Sequence, residues 1–391
     1  MKKLFALLTI LSLIESGFSQ SFSIGHRQVN FVDPERNNRQ VQTEIYYPSN
    51  VSGDNVPLAE DGTLFPVLVF GHGFVMEWGA YVNIWKAVVP EGYIIAFPRT
   101  ETGISPDHLT FARDLAFVIR AIQEEGYTAG SPFFGRVDTA SCVMGHSMGG
   151  GSSFLAIQYN PSITAIVNLA AAETNPSAIA AATLVNIPAL IFAGSNDCIT
   201  PPATNQERMF DSLGSACKAL VSITGASHCQ FAEQNALCSF GELTCSPAPA
   251  ISRDEQHRLV DTLLIPWLEA HLKGNCNSSA QFQSILDSGA GWSYRQQYEP
   301  CITATTDVIE TTALFEVYPV PSAGNFYLKS SSPYVKADVS VFNVSGQVVF
   351  HQSMESDKEG IWRCDALLTT GIYYLQVLYA GRTEILKLII Q

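Results

Sequence analysis

Thr139-Ala140-Ser141-Cys142-Val143-Met144-Gly145-His146-Ser147-Met148-Gly149-Gly150-Gly151 is where the chain changes character. An apolar, β-compatible run ends abruptly in Gly-x-Ser-x-Gly, and a helical pattern of Ser, Phe, Leu, Ala and Ile begins. Strand, sharp turn and helix in succession are the context of a nucleophile elbow. The turn calls for glycine because the serine backbone is strained and the flanking chains pass close together. Ser147 is thereby held out at the carboxyl edge of a sheet. The short motif alone carries little, since Gly and Ser are both common. Its weight comes from two partner residues further along the chain.

A serine hydroxyl is a poor nucleophile near neutral pH and needs an adjacent base, which in turn needs an orienting carboxylate. Asp197 lies in Gly194-Ser195-Asn196-Asp197, just past an apolar run, and His228 ends Gly225-Ala226-Ser227-His228 after the next one. The order Ser147, Asp197, His228 is that of the α/β-hydrolases. Taken singly, Asp197 reads as a turn residue and His228 as a surface or disulfide-loop histidine. Their joint placement after consecutive strands favours the catalytic reading. Glu173 and Glu233 are the competing carboxylates. Among the other histidines, His146 is locked beside the serine and His72 braces a loop rather than acting as base. The oxyanion of an acyl-transfer intermediate needs two backbone N–H groups already in place. Met148 supplies one, and Phe74, after Gly71-His72-Gly73, supplies the other.

Outward from the elbow, residues 66–70, 93–97, 163–169, 187–193 and 219–224 are apolar runs suited to buried strands, and residues 22–31 and 41–47 are two earlier strands. Ser105 and Pro106 open a helix closed by Gly126. Another lies between Thr204 and Leu213, and the capping box Ser252-Arg253-Asp254-Glu255 starts one ending near Leu272, with Pro266 as a kink. Strands alternating with helices give an α/β fold, a largely parallel sheet with helices on both faces. Ligands of such sheets gather beyond the carboxyl ends of the strands.

The chain has 391 residues and a net charge of −14, and residues 21–301 carry 14 basic against 26 acidic side chains. Nothing in this balance suggests nucleic acid or an anionic membrane, both of which want clustered basic residues. Residues 1–20, with Lys2, Lys3 and a short apolar stretch over 4–14, form a signal peptide. Nine cysteines in an exported chain imply several disulfides and a leftover thiol, assigned to Cys142. Cys276 and Cys301 are the preferred pair; the pairing of Cys198, Cys229, Cys238 and Cys245 is left open. No C-x-x-C occurs, so no metal site is expected, and the chemistry implies no cofactor. The long connection 230–251 is expected to wall the pocket.

After residues 21–301, the catalytic domain, a threonine-rich linker covers 302–315 and a small all-β sandwich fills 316–391. Its strands are expected over 325–328, 335–343, 347–352, 371–378 and 384–390. Trp362 and the tyrosines raise the rival reading of a carbohydrate-binding platform, although strand periodicity makes them core.

Residues 22–272 resemble the α/β-hydrolase superfamily, in the dienelactone-hydrolase-like branch that includes cutinase-like polyester hydrolases and plant chlorophyllases. Gly145-His146-Ser147-Met148-Gly149-Gly150 is similar to the polyesterase elbow, with His146 where tryptophan is common and Phe74 where tyrosine is frequent. The aromatic clamp of those enzymes has no counterpart in Ala170-Ala171-Ala172-Glu173-Thr174-Asn175. Residues 316–391 resemble the C-terminal sorting domain of the type IX secretion system of Bacteroidetes. The resemblance rests on Tyr318-Pro319-Val320-Pro321-Ser322-Ala323-Gly324, Val341-Phe342-Asn343-Val344-Ser345-Gly346, Gly371-Ile372-Tyr373-Tyr374 and the final Lys387-Leu388-Ile389-Ile390. The expected protein is a secreted or surface-attached serine hydrolase, with its oligomeric state left open and a monomer the default. It acts on carboxylic esters, with the choice between small-molecule and polyester substrates left open, and is delivered by that machinery. The alternatives are a silent hydrolase fold kept for binding or display, and a peptidase or acyltransferase using the same triad.

Overall fold

The structure, a computed structural model, describes residues 21–60, 62–298, 315–322, 325–330, 333, 335–343, 347–364, 368–379 and 382–391. Residues 1–20, where a signal peptide is expected, Cys301 and nearly all of the expected linker lie outside the described residues. The chain divides into two compact units between Ile302 and Thr303.

The first unit is built on one sheet. Its strands are β1 (Ser23–Asp33), β2 (Arg39–Ser49), β3 (Gly53–Asp54), β4 (Phe65–Gly71), β5 (Ile94–Pro98), β6 (Val137–His146), β7 (Ala165–Leu169), β8 (Ala189–Gly194), β9 (Lys218–Ile223) and β10 (Trp292–Gln297). They lie in the order β10-β9-β8-β7-β6-β4-β5-β2-β1-β3. The run from β5 to β9 is parallel, whereas β2 joins β5, and β10 joins β9, antiparallel. The helices are α1 (Val82–Val88), α2 (His108–Glu125), α3 (Met148–Ala156), α4 (Ala178–Ala182), α5 (Gln206–Ser212), α6 (Ala236–Glu242), α7 (Arg253–Leu272) and α8 (Cys276–Ser288). The α/β architecture expected from the apolar runs is the one observed.

The two-residue period of a strand sorts the core into two layers. On β4, Val67 and Val69 join the cluster that holds Phe111, Leu115 and Ile119 of α2 with Phe154 of α3. Leu68 and Phe70 join the opposite cluster, with Ile84 of α1 and Leu263, Leu264 and Trp267 of α7. Both faces are covered, which is why these strands read as continuous apolar runs.

The start of α2 corrects one expectation. Asp107, not Ser105, is the cap: its Oδ1 accepts the Thr110 N–H at 2.7 Å, and the helix begins at His108. Glu101 Oε2 accepts the Asp107 N–H at 2.8 Å and holds the preceding turn outside the helix, so Pro106 lies before the cap. Ser252 caps α7 as the capping box implies, and that helix runs through Pro266 without interruption. The apolar pattern predicted neither α8 nor β10, whose residues are mostly polar.

On α7, burial pushes the Asp261 carboxyl up to about 7. Its pKa is therefore higher folded than unfolded, so the folded chain keeps its proton longer as pH rises. The stabilisation is complete below about 4 and is lost between about 4 and 7. Asp261→Asn is expected to recover up to about 4 kcal/mol at pH 8, at about 1.4 kcal/mol per unit, and to change little at pH 4. Thermal melts at the two pH values check this; equal Tm values for parent and variant at pH 8 would refute it.

The second unit is all β, with a three-stranded sheet of β11 (Phe315–Tyr318), β12 (Phe326–Ser330) and β15 (Ile361–Cys364) and a four-stranded sheet of β13 (Lys336–Asn343), β14 (Val348–Glu355), β16 (Gly371–Tyr379) and β17 (Arg382–Ile390). Both sheets feed one core that includes Phe315, Leu328, Val339, Trp362 and Leu375. Trp362 is buried, with its ring 5.7 Å from Phe315, so it is core and offers no exposed platform. The strands β11 and β15 are additions to those expected from sequence.

Candidate active site

The elbow is built as its glycines require. Ser147 sits immediately after β6 with φ 55° and ψ −121°, an unfavourable conformation for a residue with a side chain. It is held from several sides: its N–H donates to Leu169 O at 3.0 Å, and its carbonyl accepts from Gly151 at 3.0 Å and Ala172 at 2.9 Å. The close approach is real at Gly149, where a Cβ would lie 2.1 Å from Gly71 O, and at Gly145, where it would lie 2.3 Å from the Gly149 carbonyl carbon. Any side chain at either position would force β4, β6 and α3 apart.

The structure brings Ser147, Asp197 and His228 together. Ser147 Oγ lies 2.9 Å from His228 Nε2, and His228 Nδ1 lies 2.8 Å from Asp197 Oδ2. Asp197 follows β8 and His228 follows β9, so all three project beyond the carboxyl ends of parallel strands. The three residues are buried, with Ser147 at 8% exposure the most open. Donation of Nδ1–H to Asp197 leaves Nε2 as an acceptor for the serine hydroxyl. Among the described residues no hydrogen bond joins Glu173 or Glu233 to His228; Glu173 Oε2 instead accepts the Ile179 N–H at 2.9 Å.

Met148 is the first residue of α3, and Phe74 lies in the turn after β4, half exposed. Among the described residues neither N–H donates to another backbone group in the turns, loops and caps. His72 spans the loop between Gly73 O at 2.9 Å and Thr100 O at 2.8 Å, a bracing position away from Ser147.

Thr200 and Gln206 escape a reading by sequence. Asp197 Oδ1 accepts the N–H groups of Ile199 at 2.9 Å and Thr200 at 2.8 Å, and its Oδ2 accepts the Thr200 hydroxyl at 2.8 Å. Gln206 Nε2 donates to Thr200 Oγ1 at 3.1 Å and to Ala171 O at 2.6 Å. Asp197 is thus fixed by four donors counting His228. The one signal in the sequence is the Asp-x-x-Thr spacing, a local turn pattern that many loops share.

The connection 230–251 packs beside these residues and is stapled to both of their loops. Cys198, next to Asp197, bridges to Cys245, and Cys229, next to His228, bridges to Cys238. Glu242 at the end of α6 accepts the Cys229 N–H at 2.8 Å. Cys142 is a buried thiol as expected, and burial pushes it well above the ordinary thiol range. Cys276 is disulfide-bonded, while its preferred partner Cys301 lies outside the described residues. Replacing Cys229 and Cys238 together by serine is expected to cost about 2–3 kcal/mol of stability, the loop-closure term for so short a loop. A melt matching the parent's would contradict this. Ala171 packs against α3 closely enough that a Cβ on Gly150 would meet Ala171 Cβ at 2.9 Å.

No group of three or more His, Cys, Asp or Glu suited to a metal occurs among the described residues.

Comparison with known proteins matches residues 33–245 to the PET hydrolase-like family and residues 316–391 to the secretion system C-terminal sorting domain. Over 187 residues the chain is 28% identical to a bis(hydroxyethyl) terephthalate hydrolase of Streptomyces coelicolor, covering 47% of this chain and 54% of that protein. Over 182 residues it is 33% identical to cutinase 1 of Thermobifida cellulosilytica, covering 46% of this chain and 66% of the relative. The identity to a cutinase of Thermobifida fusca is also 33% over 182 residues, 46% of this chain and 58% of that protein. The matched region spans between about half and two thirds of these relatives. The first match takes in more than half of the chain and contains the sheet ends that carry Ser147, Asp197 and His228, and on that ground the chain belongs to the PET hydrolase-like family.

Proposed function

We propose that this protein is an exported carboxylic ester hydrolase that works through an acyl-enzyme on Ser147. The observation that carries the proposal is the unbroken relay from Ser147 Oγ to His228 Nε2 at 2.9 Å and from His228 Nδ1 to Asp197 at 2.8 Å. Ser147 Oγ attacks the ester carbonyl while His228 Nε2 takes its proton. Asp197 keeps the imidazole in the required tautomer and stabilises it once charged. The N–H groups of Met148 and Phe74 receive the oxyanion. The imidazolium returns its proton to the leaving alcohol, and water, activated by the same base, releases the acid. No cofactor enters this sequence.

The named activities of the relatives point to terephthalate esters and cutin-like polyesters as substrates, and residues 316–391 assign delivery to a secretion system, outside the cell or at its surface. The test is a panel of p-nitrophenyl esters of graded acyl length, run beside bis(hydroxyethyl) terephthalate and an insoluble polyester film. Labelling with a serine-directed phosphonate accompanies it. Saturable hydrolysis with one equivalent of label on Ser147 is expected. A folded protein that neither hydrolyses any member nor takes the label would overturn the reading in favour of binding or display.

A further inference from the structure

His146 lies inside the elbow motif but has no part in the proposed chemistry. It is fully buried, and both of its ring nitrogens are engaged. Nε2 lies 3.1 Å from His228 O, and Nδ1 lies 3.0 Å from the Tyr81 hydroxyl. A carbonyl oxygen only accepts, so Nε2 carries a proton. Burial, with the neighbouring His228 acting in the same direction, holds this ring well below the ordinary histidine range, so it is neutral and Nδ1 is bare. Nδ1 therefore accepts from Tyr81 O–H. The same Tyr81 oxygen accepts the Gly73 N–H at 2.7 Å. Met76 Sδ, at 3.4 Å, competes for the tyrosine proton, but a thioether is the weaker acceptor and the farther one.

The bonds form one directed chain: Gly73 N–H to Tyr81, Tyr81 O–H to His146 Nδ1, and His146 Nε2–H to the carbonyl of His228. Its two ends lie at two parts of the site that the elbow does not itself hold. Gly73 immediately precedes Phe74, and His228 carries the base. A Cβ on Gly73 would lie 3.2 Å from His146 Nδ1 and 3.3 Å from Tyr81 Oη, so the loop lies directly against this chain.

We infer that Tyr81 and His146 are positioning residues, a buried brace that fixes the Phe74 N–H and the His228 imidazole relative to each other. The inference rests on the ester-hydrolase reading, and neither residue touches the reacting atoms. Tyr81→Phe in the full chain removes one oxygen and cuts the brace in its middle. Small displacements of an oxyanion donor or a base are costly, so kcat for a p-nitrophenyl ester is expected to fall about 10- to 100-fold, with KM within about two-fold. Nitrogen NMR of ¹⁵N-histidine protein gives a second readout. His146 in the parent should show a protonated Nε2 and a bare, hydrogen-bonded Nδ1, and in the variant the Nδ1 resonance should shift downfield as it loses its donor while Nε2 stays protonated. A variant with the parent's kcat, or a parent protein with His146 protonated at Nδ1, would overturn the brace. The second outcome needs no variant and stands even if Tyr81→Phe fails to fold. Phosphonate labelling separates the two ideas: absence of label on the parent sinks the hydrolase reading, whereas a labelled, fully active Tyr81→Phe sinks only the brace.

Discussion

Ser147→Ala is expected to lower kcat for any ester the protein hydrolyses by about six orders of magnitude, the loss seen when a triad nucleophile is removed. The Oγ atom of Ser147 bonds to His228 Nε2 at 2.9 Å, and the backbone bonds that hold the elbow do not depend on it. Leu169 O, Gly151 N–H and Ala172 N–H all bond to the main chain of residue 147. Alanine at φ 55° carries the same backbone strain as serine, so the variant should melt close to the parent. Kinetics and a thermal melt on one preparation check both halves. A folded variant within a few-fold of parental activity would remove Ser147 from the mechanism.

Asp197→Asn is expected to cost about ten-thousand-fold in kcat, by analogy with the serine-protease case in which the wrong imidazole tautomer is left facing the serine. An amide nitrogen at the Oδ2 position donates where a carboxylate accepted. His228 Nδ1 then has reason to be bare, and Nε2 to hold the proton it should be taking from Ser147. The substitution also disturbs Thr200, whose hydroxyl donates to the same oxygen at 2.8 Å. Glu173→Gln is the control and should leave turnover within a few-fold, since that side chain bonds to the start of α4. If Glu173→Gln abolished turnover and Asp197→Asn spared it, the acid would belong one strand earlier.

The parts legible from sequence are those encoded locally. The elbow is spelled by closely spaced glycines with a serine between them, and β4 to β9 by apolar runs that a sheet covered on both faces demands. Asp197 and His228 can be found because each closes the strand before it. The end strand β10 and helix α8 cannot: Trp292-Ser293-Tyr294-Arg295-Gln296-Gln297 is mostly polar because an edge strand is half solvated, and α8 is rich in Ser, Asn and Gln. Thr200, Gln206 and Tyr81 are hidden for another reason. Tyr81 is 65 residues from His146 in the chain, and its role exists only once β4 and β6 lie side by side. Spacing carries no trace of such a convergence. The four loop cysteines pose the same problem, since each of their possible pairings closes a plausible loop.

The two bridges do not cross-link the Asp197 loop to the His228 loop; each ties one of them to the connection 230–251. Recombinant production inherits this arrangement. A bacterial cytoplasm kept reducing by thioredoxin and glutathione will deliver the polypeptide with both staples open. Cys198 and Cys229, the immediate neighbours of Asp197 and His228, are then unclamped. Whether the two bridges are closed becomes a record of the redox history of the cell that made the batch. Periplasmic expression, or an oxidative step before assay, decides whether two laboratories measuring this chain are measuring the same molecule.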